Sequence, residues 1–229
     1  MSAEEKLTKL KEQLVKGAKK LYNKGLNENN EGNISLRVDK NSLLITPTAN
    51  QYDTLTPDEI VHIDFEGNLL SKGKLPSTES KLHIAIYQSR KKVKCVVHTH
   101  STYASMLSVV RKPIPIIFEE QIIYLGGSID LAPYGEAHTE EIGSVALKAL
   151  SYKNAALLSN HGVIACGKSD IDAIKFAELV EKLAKVYWGS LQIGEPKVID
   201  EEDYDLSKFK LMFKSLFANA PRKMLKELL

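Results

Sequence analysis

A short apolar run ends in two histidines, Cys95-Val96-Val97-His98-Thr99-His100, and a third, His161, interrupts Leu157-Leu158-Ser159-Asn160-His161-Gly162-Val163-Ile164. Alternate residues of a strand share a face, so His98 and His100 can project together from its end. Two imidazoles at that spacing are half of a divalent-metal site. A third, brought in from a distant segment, would leave the ion one open position, the layout of catalytic rather than structural zinc. The plainer reading has one histidine closing the strand and the other packed at the surface. A hairpin tip accounts for Asn160 and Gly162 but asks for no histidine at position 161.

Three further segments carry groups that chemistry uses. Leu75-Pro76-Ser77-Thr78-Glu79 sets two hydroxyls and a carboxylate at a helix start, where backbone N–H groups form a natural phosphate pocket. Ordinary capping explains the same residues. Gly32-Asn33-Ile34-Ser35 and Thr46-Pro47-Thr48-Ala49-Asn50 are small polar loops at strand ends. Each can offer amides and hydroxyls to an anion, or simply turn the chain. Glu79 and His83 are four apart and share a helix face; they are read as a surface pair. His62, in a strand, and His138, in a polar turn, are read as solvated.

These groups need elements to hold them. Leu7, Leu10, Leu14, Ala18 and Leu21 form one helical stripe, with Ser2 and Glu5 as a capping box and Gly25 as the stop. Residues 34–38 and 42–46 flank the polar tip Asp39-Lys40-Asn41 as a hairpin, and 61–64 and 68–70 flank Glu66-Gly67 in the same way. Helices are expected at 81–91, 102–110, 139–150 and 169–191, and strands at 94–98, 114–117, 155–158 and 163–166. Hairpin-linked strands with interspersed helices point to a mostly antiparallel sheet covered by helices. The basic, Leu-rich stretch from Lys210 to Leu229 reads as a peripheral segment or subunit contact.

Composition narrows the class. The chain has 229 residues, 43% hydrophobic and 26% charged, enough to bury one full core. Its net charge of +2 gives no field that argues for nucleic acid or a membrane surface. Cys95 and Cys166 make no disulfide framework, and the first helix has no apolar signal region, so a cytoplasmic protein is expected. No repeat or long linker divides the chain.

Taken together and in order, ITPTANQYDTLTPDEIVHID, GKLPSTESKLHIAIYQSR, VVHTHSTYAS and LLSNHGVIACG resemble the class II aldolase/adducin family, from about Leu7 to Glu195. Within it the likeness is greatest to members that cleave L-fuculose 1-phosphate. The resemblance implies a single α/β domain over residues 1–229, with 196–229 a peripheral C-terminal segment. Its central, mostly antiparallel sheet would carry helices on both faces, and the assembly would be a homotetramer. It implies one Zn2+ per subunit held by His98, His100 and His161, with Glu79 on the open side of the ion as acid/base. It implies a substrate phosphate held by Asn33, Thr48, Ala49, Ser77 and Thr78. The reaction would be reversible cleavage of a ketose 1-phosphate to dihydroxyacetone phosphate and an aldehyde such as lactaldehyde, through a metal-stabilised enediolate. Glu79, displaced from the ion and shielded from water, would have a raised pKa suited to proton transfer.

The pattern also departs from those members. Ile114-Pro115-Ile116-Ile117-Phe118-Glu119-Glu120-Gln121 has no tyrosine where they carry one, and Met212 aligns near a second one, with Tyr204 as a substitute. Both lie on the aldehyde side. Ala49 replaces the glycine of their Thr-Pro-Thr-Gly loop, keeping the amide but restricting φ. Glu119 and Glu120 keep open a dehydratase acting on methylthioribulose 1-phosphate, although such enzymes lack the helix-start Glu. A pentulose-phosphate 4-epimerase would favour Asp at 79. An adducin-like interaction module would have lost the three histidines.

Overall fold

In a computed structural model of the chain, which describes residues 2–200, alternation of side chains along the strands sorts the core into two layers. Twelve elements follow in order: α1 (Ala3–Asn23), β1 (Asn33–Arg37), β2 (Ser42–Ile45), β3 (Val61–Asp64), α2 (Ser80–Ser89), β4 (Cys95–Thr99), α3 (Thr102–Val109), β5 (Leu131–Ala132), α4 (Glu140–Leu150), β6 (Ala155–Leu158), β7 (Gly162–Gly167) and α5 (Asp170–Ile193). The seven strands form one sheet in the order β3-β2-β1-β4-β7-β6-β5, antiparallel throughout except for the parallel β5–β6 pair. Ile34, Leu36, Cys95, Val97, Val163 and Ala165 face one way and pack on Leu14, Ala18, Leu21, Ala177 and Val180 of α1 and α5. Leu43, Ile45, Val96, Ala156 and Ile164 face the other way, against Leu82, Ile86, Ile142 and Ala146 of α2 and α4. Among the described residues this is the single α/β domain with helices on both faces that the resemblance implied.

The helix ends follow the expected chemistry. Ser2 Oγ accepts from Glu5 N while Ser2 N donates to Glu5 Oε2, and Gly25, just past α1, takes φ +66°. Thr139 accepts from Glu141 N at the start of α4. Ser169 does the same from Asp172 N before α5, which Gly194 closes.

Two expectations are corrected. Residues 114–117 form no strand; only Ile114 makes a single bridge, to Ile129. Pro113 and Pro115 remove the donors a ladder needs. Buried Gln121 stitches the loop instead, its amide accepting from Ile117 N and Phe118 N and donating to Pro115 O. The second hairpin is abbreviated: Leu69 bridges Ile63, but no strand forms at 68–70. The two-residue strand β5, too short for any periodicity, was not expected.

Most of the expected C-terminal segment, including Tyr204 and Met212, lies outside the described residues. Of its described part, Ile199 N donates to Ile116 O, tying residues 196–200 back to the proline loop.

Candidate metal centre and active site

The antiparallel ladder gathers the histidines at one end of the sheet. The end of β4 lies beside the start of β7, with Thr99 paired to Val163, so His98 and His100 stand next to the turn that carries His161. That turn is tight. Asn160 has φ +55° and Gly162 φ +136°, while Ser159 Oγ donates to Ala132 O and anchors the loop to β5. On the other side of β4, the start of β1 places Asn33 directly opposite His98. Glu79 arrives from above as the residue preceding α2.

One ligand atom from each of Glu79, His98, His100 and His161 lies within 4.8 Å of all the others. The three rings stand nearly perpendicular to one another, at 71°, 84° and 79°, with centroids 4.7–5.1 Å apart. His98 Nε2 and His100 Nε2 are 2.9 Å apart, and His161 Nε2 is 2.5 Å from Glu79 Oε1. The proton arrangement suits a cation. His98 Nδ1 donates to Val163 O at 2.8 Å, since a carbonyl only accepts, and this leaves the Nε2 lone pair facing the cluster. Burial pushes His98 down to about 3, with His161 and His100 adding to the fall against the opposing pull of Glu79. Burial and His161 lower His100 as well. A neutral imidazole with its lone pair turned toward the cluster, as in His98, is what a divalent ion requires. The residues therefore fit the ion they were expected to hold, with the Glu79 carboxylate filling the open side.

Glu79 is buried, and that burial raises its proton affinity. The ring of His98, the bond from His161 and the bond from Asn33 Nδ2 (2.6 Å) outweigh it and leave the carboxyl well below its usual range. The raised value expected for a working acid is thus absent in this arrangement.

The candidate anion loops meet beside the cluster. Pro47 bridges Pro76, with Thr48 N donating to Leu75 O and Ser77 N to Thr46 O, so Thr48 and Ala49 lie beside Ser77 and Thr78. Ser77 is buried while Ala49 and Thr78 are exposed. Ala49 takes φ +52°, the left-handed backbone a glycine would adopt freely. Asn33 belongs to this expected anion set, yet one of its two amide hydrogens is already committed to Glu79. Glu120 pairs instead with Lys182 on α5, and neither it nor Glu119 belongs to the cluster.

His83 is the residue that sequence reasoning misplaced. It is no surface partner of Glu79 but fully buried, bonded to Asn33 and Ser35. His62 is half-buried rather than solvated, and burial lowers its pKa. His138 is exposed, as expected.

Fold and site together define an α/β domain with a three-histidine, one-carboxylate centre at a sheet end. Residues 12–188 match the family described as Class II Aldolase and Adducin N-terminal domain, and the chain belongs to that family, with its metal-dependent aldehyde-lyases. It is 39% identical over 204 residues (88% of this chain, 91% of the relative) to the 5-methylthioribulose-1-phosphate/5-deoxyribulose-1-phosphate aldolase of Rhodospirillum rubrum. It is 38% identical over 205 residues (88% and 94%) to the L-fuculose phosphate aldolase of Escherichia coli O6:H1. A solved L-fuculose 1-phosphate aldolase superposes with a TM-score of 0.83 at 33% identity, covering 88% of this chain and 96% of that one.

Proposed function

We propose that this chain reversibly cleaves the C3–C4 bond of a deoxyketose 1-phosphate, giving dihydroxyacetone phosphate and a short aldehyde. The observation that carries the reading is the convergence of His98, His100 and His161 with Glu79 within 4.8 Å. The three imidazoles hold one Zn2+ per subunit, which supplies Lewis acidity toward the substrate carbonyl and the charge left after cleavage. Asn33, Thr48, Ala49, Ser77 and Thr78 hold the phosphate through amides and hydroxyls. With the phosphate fixed there, C2 and C3 of the ketose lie toward the histidines.

Glu79 handles the proton. The net movement in cleavage is from the 4-hydroxyl to C3: the C3–C4 pair stays with C3, C4 becomes the aldehyde carbonyl, and C3 is protonated. Glu79, ionised at the start, takes that proton from the 4-hydroxyl and gives it to C3, and the two transfers run backward in the condensation direction. Substrate would take the place of the carboxylate beside the histidines, while the bond from Asn33 keeps it aimed at the site. Burial then raises its affinity for the proton it has to carry.

The aldehyde half extends past His100 into a cavity of about 550 Å3. Leu26, Met106, Val109 and Val110 line it beside Glu31 and Thr102. An apolar wall suits a methyl terminus, which L-fuculose 1-phosphate and 5-deoxyribulose 1-phosphate both carry. L-Fuculose 1-phosphate is the first substrate to test. The pentulose is the second, because the relative at 39% identity is named for it.

A homotetramer is consistent with the exposed Ile171, Trp188 and Ile193 of α5. A cytoplasmic setting is consistent with two free, buried cysteines and with no described helix long and apolar enough to cross a membrane. The test is release of dihydroxyacetone phosphate from each ketose phosphate by zinc-loaded protein. Release from neither, with zinc bound, would overturn the reading.

A further inference from the structure

Beneath the metal centre, helix α2 and strand β1 carry matching polar stripes. Glu79, His83 and Tyr87 recur every four residues along the helix, an advance of about 6 Å per step. Asn33, Ser35 and Arg37 recur every two residues along the strand, about 6.6 Å per step. The near-equal spacing lets the stripes interlock over two steps. Glu79 Oε2 accepts from Asn33 Nδ2 at 2.6 Å, Asn33 Oδ1 meets His83 Nε2 at 2.5 Å, His83 Nδ1 meets Ser35 Oγ at 2.6 Å, and Ser35 Oγ meets Tyr87 Oη at 2.8 Å. Arg37 closes the row, its guanidinium donating to Val93 O at 2.9 Å and lying 4.7 Å over the Tyr87 ring. Asn33, Ser35, His83 and Tyr87 are all nearly or fully buried, so solvent supplies no alternative partners.

Donor and acceptor rules fix the protons of this row from Glu79 as far as Ser35. An ionised carboxylate only accepts, so the Asn33 amide nitrogen must point to Glu79 and its oxygen to His83. His83 must then carry its hydrogen on Nε2, leaving Nδ1 to accept from the Ser35 hydroxyl. Tyr87 Oη can donate to Ser35 Oγ or to Ser35 O, 3.0 Å away. If Asn33 flipped, its oxygen would face the carboxylate, a repulsive contact in a buried site. Burial also pushes His83 down to about 4, which keeps it neutral and leaves Nδ1 free to accept.

We propose that His83 is a positioning residue, locked as its Nε2–H tautomer between Ser35 and Asn33, and that through Asn33 it aims the Glu79 carboxylate at the histidine cluster. The same lock leaves the second Asn33 amide hydrogen free for the ligand side. This inference rests on the aldolase reading, but its first test does not.

Long-range 1H–15N correlation of the histidine rings in the intact chain should show His83 protonated on Nε2 and accepting on Nδ1. The Nδ1–H tautomer, or a protonated ring at neutral pH, would overturn the proposal whatever the substrate proves to be. The second test compares His83→Leu with His83→Gln. The glutamine amide can place an N–H where Nε2–H stood; leucine cannot. For zinc-loaded protein, His83→Leu should lose roughly 10–100-fold in kcat/KM, the usual cost of removing a partner that orients a metal site's groups, and His83→Gln should recover most of it. Equal losses in both variants, in proportion to their losses in melting temperature, would make His83 a packing residue and refute its role. Absence of turnover in wild type would fail the aldolase reading and leave the tautomer result standing.

Discussion

Gly162 should be the residue whose replacement damages the metal centre most without removing a ligand. A Cβ at this position would lie 2.2 Å from Thr99 O and 3.2 Å from His100 Cα. A carbon and a carbonyl oxygen rest at about 3.3 Å, so Gly162→Ala must push the end of β4 away from β7 by about 1 Å. Thr99 lies between His98 and His100, and His161 precedes Gly162, so the shift separates two ligands from the third. Metal–ligand distances tolerate only about 0.2 Å. The backbone adds its own cost, because φ +136° is disfavoured for alanine. Strain of about 1–3 kcal/mol with one or two weakened ladder bonds gives roughly 3–5 kcal/mol. In a chain of this size that lowers the melting temperature by on the order of 10 °C. Zinc affinity, read by competition with a chromophoric chelator, should fall at least tenfold. A variant that binds zinc within threefold of wild type and melts within about 2 °C of it would refute this picture of the β4–β7 junction.

Other perturbations separate the parts of the site. Glu79→Gln keeps the shape of the side chain but cannot move a proton, so dihydroxyacetone phosphate release should fall by about 10²–10⁴-fold while zinc content stays near wild type. Full turnover in that variant would remove Glu79 from the chemistry. Ala49→Gly should stabilise the fold by about 0.5–1 kcal/mol, because relief at φ +52° exceeds the entropic cost of glycine. Calorimetry showing a lower melting temperature would count against the left-handed loop. His83 has a folded pKa of about 4 against about 6.5 unfolded. The unfolded chain therefore binds the extra proton in that window. The neutral ring's contribution is intact above about pH 6.5 and is lost as pH falls toward 4, roughly 3 kcal/mol in all. Urea unfolding of metal-free wild type should show a steeper loss across that range than His83→Gln; parallel profiles would contradict the buried, neutral ring.

His161 reached the histidine set only through the family resemblance, since a pairing between strands distant in sequence leaves no local signal. The His98–His100 pair was legible because its geometry is local: strand pleat alone fixes its spacing. The helix starts at Ser2, Thr139 and Ser169 were legible for the same reason: a cap is decided within three residues. The Asn33–His83–Ser35 row was not. Alternation of Asn33, Ser35 and Arg37 with Ile34 and Leu36 reads as a strand with one solvated face. Glu79 with His83 reads as an exposed pair, and each polar stripe is buried only because it meets the other. The recurrence of Glu79, His83 and Tyr87 at four-residue steps was the available signal. The 114–117 run failed by a different route, since its apolar residues outweighed two prolines whose missing donors decided the outcome.

The most direct test of a three-histidine centre driving carbon–carbon cleavage is a zinc titration. Metal-free protein is supplied with L-fuculose 1-phosphate or 5-deoxyribulose 1-phosphate, and dihydroxyacetone phosphate release is followed as zinc is added. We expect release to start from near zero, rise in proportion to zinc and level off at one ion per chain, with His161→Ala failing to respond. Full release from the metal-free chain, or an unchanged response in His161→Ala, would contradict the assignment.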